Sequence, residues 1–206
     1  MYKVILFFAV VLTFAACQSE RDRLPFLGER IVTKRADGKI DSMPPTIRDF
    51  SFTNQNGETV TQKDVAGKVY LADFFFTSCP TICPKVKKQM RRVYAQFENT
   101  PDFAILSHSI DVQHDTVARL AWYGEKLNIK APKWHLLTGD KAQIYAIAYD
   151  YLLSALEDKD APGGFDHSGA IALIDKQRRI RGLYDALDEK RVDQLMLDVA
   201  KLLKEE

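Results

Sequence analysis

Residues 69–98 read VYLADFFFTSCPTICPKVKKQMRRVYAQFE. Val69 to Phe76 form an almost continuous apolar run, the pattern of a strand buried on both faces. Beyond it, Val86, Met90, Val93, Tyr94 and Phe97 recur at helical spacing. Between strand and helix stand Cys79 and Cys83, each followed by a proline. Pro84 has no N–H to bond back to Pro80, so the spacing predicts a regular helix starting at Pro84, with Cys83 as its cap.

The alternation continues on both sides. FAILSHSI (103–110) reads as a second buried strand and residues 115–128 as a helix. WHLLTGD (134–140) is a short strand running into a helix over about 140–153. Residues 157–168 hold Pro162, Gly163 and Gly164 and read as a loop. IALID (171–175) and IRGLY (180–184) form a hairpin, and a last helix over about 188–204 takes Asp188 as N-cap. Upstream, Phe50–Thr53 and Thr59–Thr61 flank Asn56-Gly57, a hairpin signal. A short hairpin must be antiparallel, so the sheet is mixed. The order predicts an α/β, three-layer, thioredoxin-like fold with a mixed central sheet and an N-terminal β-hairpin extension.

With 206 residues, 46% hydrophobic and 28% charged, the chain has the composition of one globular domain. Disordered, collagenous and multi-span membrane classes are excluded. Its 29 Lys+Arg against 28 Asp+Glu create no general field for nucleic acid, and none is expected as a partner. Three cysteines are too few for a disulfide scaffold, which points them toward chemistry.

Residues 1–17 read MYKVILFFAVVLTFAAC. The uncharged run from Val4 to Ala16 is too short to span a bilayer but suits the apolar core of a signal peptide. Ala15-Ala16-Cys17 resembles a bacterial lipobox, with Phe14 where leucine is preferred. That resemblance implies cleavage before Cys17 and lipidation of Cys17. The expected organisation is signal peptide 1–16, lipidated N-terminus and tether 17–43, and folded domain 44–206. Residues 18–48 are polar and carry Pro25, Gly28, Gly38 and Pro44-Pro45, so they read as a tether and irregular lead-in. The expected location is extracytoplasmic, on the periplasmic side if there are two membranes, where disulfides are permitted.

A strand-to-helix junction suits thiols, because unpaired N–H groups and the positive end of the helix dipole stabilise thiolate. Cys79 and Cys83 then have two uses. Two thiolates suit a soft ion such as Cu(I). The same pair can form and exchange a disulfide, although the usual redox spacing is one residue shorter. Copper held by two thiolates lacks a third ligand, for which imidazole is suitable. Of four histidines, His108 and His135 lie in strands and read as core residues. His114 lies in a loop after a strand, and His167 ends a glycine-rich loop just before IALID. Lys85, Lys87, Lys88, Arg91 and Arg92 are expected to form a solvated helix face.

FFFTSCPTICPKV, SIDVQHDTVARL, WHLLTGD and DHSGAIALID, in that order, resemble the Sco/SenC family. The likeness covers roughly residues 48–200. It implies a thioredoxin-fold copper protein that helps assemble cytochrome c oxidase, with Cys79, Cys83 and His167 as copper ligands. Asp111 matches an acidic residue of the family, beside the ligands or in a partner contact. Val112-Gln113-His114 departs from the proline and arginine usual there. The implied partners are a copper-accepting oxidase subunit, other copper carriers or a thiol reductant, and the membrane through the lipid. The chain is expected to act as a monomer. A thiol-disulfide oxidoreductase or redox sensor using Cys79 and Cys83 is the rival reading, and a plain adaptor domain a third. The rival is weakened because Asp166-His167-Ser168 stands before the IALID strand, where a thioredoxin-like enzyme usually carries proline.

Overall fold

The computed structural model describes residues 23–205. The signal-peptide and Cys17 expectations lie outside the described residues. Three parallel strands form the centre of a seven-stranded sheet: β5 (Val69–Phe75), β6 (Phe103–Ser109) and β7 (Trp134–Thr138). All three are buried along their whole length, which is why they read as apolar runs rather than alternating patterns. On one flank β10 (Ala170–Ile174) pairs antiparallel with β5, and β11 (Ile180–Asp185) pairs antiparallel with β10. On the other flank the hairpin of β3 (Ser51–Asn54) and β4 (Thr59–Thr61) joins β7. The strand order is β11-β10-β5-β6-β7-β3-β4, a mixed sheet in a thioredoxin-like α/β fold.

Helices cover both faces. Helix α1 (Cys83–Phe97) places Lys87 against Asp73, and α2 (Val117–Leu127) stacks Tyr123 on Phe75. Asp73 and Phe75 are two residues apart on β5 and so point to one side. Helix α3 (Lys141–Asp150) ends in Tyr151, which packs on Phe74 and His108 on the opposite side. Helix α4 (Glu189–Lys204) lies beside α1 through Arg92–Asp193 and Gln89–Glu189. Asp188 caps α4 as expected, accepting from the Lys190 N–H.

Three local features differ from expectation. Helix α1 begins at Cys83, with Ile82 as its cap, and Pro84 takes the second helical position. The first N–H groups of a helix have no partner within it, so proline fits there as well. The 157–168 region is a hairpin: β8 (Ala155–Glu157) pairs with β9 (Phe165–His167), and only its tip, closed by Asp158 N–H to Gly164 O at 3.0 Å, is a turn. Residues 31–43 hold a separate two-stranded sheet, β1 (Ile31–Lys34) with β2 (Ile40–Met43). Its signal was Asp37-Gly38, with Gly38 at φ 83°, inside a stretch whose polarity masked the strands. Among the described residues no helix is long and apolar enough to cross a membrane.

Candidate metal centre

Strand β5 delivers the chain to the cysteines. After Phe76 the chain turns, with the Cys79 N–H donating to the Phe76 carbonyl at 3.3 Å, and α1 follows. Buried Asp115 holds this turn from behind. Its carboxylate accepts from the Thr77 N–H (3.0 Å), the Thr77 hydroxyl (2.5 Å) and the Ser109 hydroxyl (2.5 Å). Cys79 and Cys83 are both free thiols and both buried.

His167 arrives from the far end of the sequence. It ends β9, immediately before β10 pairs with β5, so sheet order brings it to the C-terminal end of β5. Its Nε2 lies 3.3 Å from Cys83 Sγ and 3.8 Å from Cys79 Sγ. Nδ1 lies 3.4 Å from the Ser168 carbonyl. With the proton on Nε2 the ring donates to the sulfurs of the metal-free site; with the proton on Nδ1 it donates to Ser168 and leaves the Nε2 lone pair for a metal. Gly163 makes this approach feasible. It sits at φ 84°, and a Cβ there would meet Phe76 at 2.7 Å. Phe76 in turn packs edge-on against His167 and tilted against Phe165.

The three ligand atoms lie within 4.8 Å of one another. Two soft sulfurs and one borderline nitrogen suit a thiophilic ion such as copper or zinc and do not suit magnesium or calcium. The two thiols are electrostatically unlike. Burial pushes Cys79 up, but hydrogen bonds from His167, the backbone at Cys83 and Thr81, and the Cys83 side chain outweigh it and bring the thiol down to about 6. Burial pushes Cys83 up to about 12, and the neighbouring Cys79 sulfur adds to the rise. Cys79 is therefore the ready thiolate.

The other candidates lie elsewhere. Asp111 does not meet the sulfurs. Its carboxylate binds His114 Nδ1 at 2.8 and 3.0 Å, at the wall of a groove of about 520 Å³ shared with Thr77, Arg119 and Lys141. His114 is exposed. His135 lies 3.2 Å from Asn54 Nδ2. His108 is buried but not satisfied: neither ring nitrogen has a partner, and its ring stacks on Phe74. Burial lowers it to about 4, which keeps it neutral.

The charge run on α1 holds one residue that its spacing could have betrayed. Lys87 is not solvated. It is buried, ion-paired with Asp73 at 2.6 Å and bonded to Ser107 Oγ at 2.9 Å. It lies four residues after Cys83 and three before Met90, on the inner face of the helix. Asp73 is the one charge in the buried β5 strand, and a buried charge calls for a partner.

A family model described as SCO1/SenC matches residues 39–204. The SCO1 protein homolog of Bacillus subtilis is 25% identical over 161 residues, covering 77% of this chain and 83% of its own. The crystal structure of a SCO1/SenC family lipoprotein from Bacillus anthracis is 27% identical with a TM-score of 0.69, covering 77% of this chain and 95% of that one. The structure of Bradyrhizobium japonicum ScoI with copper bound is 25% identical with a TM-score of 0.60, covering 77% of this chain and all of that one.

Proposed function

Since the chain belongs to the SCO1/SenC family, we propose that it is a copper carrier, a metallochaperone that delivers copper to the dinuclear copper centre of a cytochrome c oxidase subunit. Cys79, Cys83 and His167 hold the copper. The observation that carries this reading is the convergence of two sulfurs and Nε2, from two separate parts of the chain, within 4.8 Å. The copper-bound relative supports the choice of metal. Ligand set and position suit transfer rather than storage. The site lies at a loop edge of the sheet, where an incoming thiolate can replace one ligand at a time without oxidation or reduction. Loading releases the thiol protons, and the Cys79–Cys83 disulfide abolishes it. The Asp111–His114 groove beside the site is where the partner contact of Asp111 belongs, and Cys17 carries the lipid that keeps the protein at an extracytoplasmic membrane surface.

The test is an anaerobic Cu(I) titration of the reduced chain against a competing chelator. One tightly held copper per chain, weakened in His167→Ala and lost in Cys79→Ser, is the expected result. Unchanged copper spectra in His167→Ala would refute the ligand set.

A second reading is favoured by the unlike thiols. Cys79 as thiolate can attack a target disulfide, forming a mixed disulfide and releasing one target thiolate. Deprotonated Cys83 then attacks Cys79 Sγ, closing the Cys79–Cys83 disulfide and releasing the second. Two electrons pass to the target, and an external dithiol reductant restores the pair. Reduction of an oxidase-subunit disulfide by the metal-free chain, undiminished in His167→Ala, would favour it.

A further inference from the structure

The β1–β2 hairpin is unlike the rest of the surface. Ile31 is 50% exposed, Val32 63%, Ile40 68% and Met43 56%, all within two four-residue strands. The register sets Ile31 beside Met43 on one face and Val32 with Lys34 and Ile40 on the other. An isolated hairpin of that size gains little stability in water, and soluble surfaces seldom gather large apolar side chains so closely. Arg30, Lys34, Arg35 and Lys39 are interleaved with them, as are Asp37 and Asp41, of which Asp41 pairs with Arg35 at 3.0 Å. Apolar side chains beside cationic ones are the chemistry of a lipid interface.

The hairpin's position supplies the second observation. Both of its ends are tied to the β10–β11 turn: the Leu27 N–H donates to the Ile180 carbonyl and the Ile47 N–H to the Arg178 carbonyl, each at 2.9 Å. Gly28 lies against Pro45 at φ 100°, closing the base. Just before it, Arg181 donates to the Leu24 carbonyl at 2.7 Å and the Pro25 carbonyl at 3.3 Å. Arg181 itself is buried and paired with Asp175 and Glu205, and the guanidinium groups of Arg179 and Arg181 cover the Phe26 ring. The chain is thus clamped to the body from Leu24 onward.

That clamp marks one pole. Ile174 of β10 pairs with Tyr70, at the start of β5, whereas Cys79 follows the end of β5. Seven residues of strand put about 20 Å between the two ends. Cys17 stands seven residues before Leu24, a span of at most about 25 Å even when fully extended.

We propose that the β1–β2 hairpin is a lipid-contact element that seats the face bearing Val32 and Ile40, with Lys34 beside them, in the membrane interface and fixes the protein with its metal centre facing away from the bilayer. The proposal deepens the lipid-anchor reading of Cys17 and rests on it. The short span from Cys17 leaves this pole facing the membrane, and Arg30, Lys34 and Lys39 complement anionic headgroups, whereas Arg35 is paired with Asp41.

The experiment uses the full chain, purified from membranes and reconstituted into phosphatidylethanolamine–phosphatidylglycerol vesicles with and without brominated acyl chains. Val32→Trp reports on the hairpin and Gln113→Trp on the opposite pole, each read against the parent with Trp122 and Trp134. The expected result is that the Val32→Trp reporter loses about half of its emission to brominated lipid, as suits burial at the headgroup–acyl boundary, while Gln113→Trp is unaffected. An unquenched Val32→Trp reporter in an acylated chain overturns the proposal. So does equal quenching at both positions, or shielding that needs no lipid and grows with protein concentration, which would mark a second copy of the chain as the occupant. Failure of the anchor reading shows separately, as a Cys17 without lipid in the mass spectrum, and removes the orientation with it.

Discussion

The buried pair beneath the metal centre makes the sharpest prediction. Lys87 and Asp73 are each 1% exposed in their side chains, with Nζ and Oδ2 at 2.6 Å. Ser107 donates to the same carboxylate, Trp134 donates to Ser107 at 2.9 Å, and Lys87 lies 4.2 Å from the Phe75 ring centroid. Both charges are shut off from bulk solvent, so removing one partner strands the other. Lys87→Met or Asp73→Leu alone is expected to cost about 3–5 kcal/mol, whereas the double substitution puts two apolar groups in contact and costs far less than either. At a urea slope of about 2 kcal/mol/M, each single change lowers the unfolding midpoint by about 2 M. Lys87 sits one turn below Cys83 on the same helical face, so the singles also loosen the cysteines from His167 and weaken copper binding, and the double restores it. Urea titrations of the four proteins form the cycle. Single losses below about 1 kcal/mol, or a double loss equal to the sum of the singles, would refute the reasoning.

Two further predictions follow from the site and the core beside it. In the reduced, metal-free chain, iodoacetamide should modify Cys79 with a midpoint near pH 6, because its thiol is held at about 6, while Cys83 should stay unreactive at neutral pH; a single midpoint near 9 in both Cys79→Ser and Cys83→Ser would contradict the asymmetry. His108 is held neutral at about 4, below the ordinary histidine value, so the unfolded chain binds its proton first as pH falls. Its contribution to stability is fully present above about pH 6.5 and is lost, by about 3 kcal/mol in all, as pH falls from there to about 4. His108→Phe should keep the aromatic stack and flatten that part of the stability–pH curve; a curve that keeps its slope places the proton elsewhere.

The elements of the body were legible because their signals are local. Val69–Phe76 announced a strand with both faces covered, and Asn56-Gly57 and Asp188 marked a turn and a cap that β3–β4 and α4 contain. Periodicity and turn chemistry are properties of neighbouring residues, and the cysteine pair needed only a strand-to-helix junction to be noticed. The Asp37-Gly38 hairpin was missed because its strands face water on both sides and so lack the alternation that burial imposes. Lys87 was misplaced on the solvent because five basic residues within positions 85–92 outweigh the one position that turns inward.

What the chain alone determined is therefore its inventory: strands, helices, two thiols poised for soft-metal or redox chemistry, and an order of elements that admits few folds. What only the tertiary structure decided is which side chains meet. His167 lies 84 residues from Cys83 and 88 from Cys79, and no periodicity links them. They are joined because β10 returns antiparallel to β5, which sets the end of β9 beside the start of α1. The same return leaves the β10–β11 turn, and the exposed hairpin clamped to it, at the opposite pole. Contact across a sheet depends on strand order and register, which are global outcomes of burying the whole core at once, so the chemistry of the site is written in the sequence but its geometry is not.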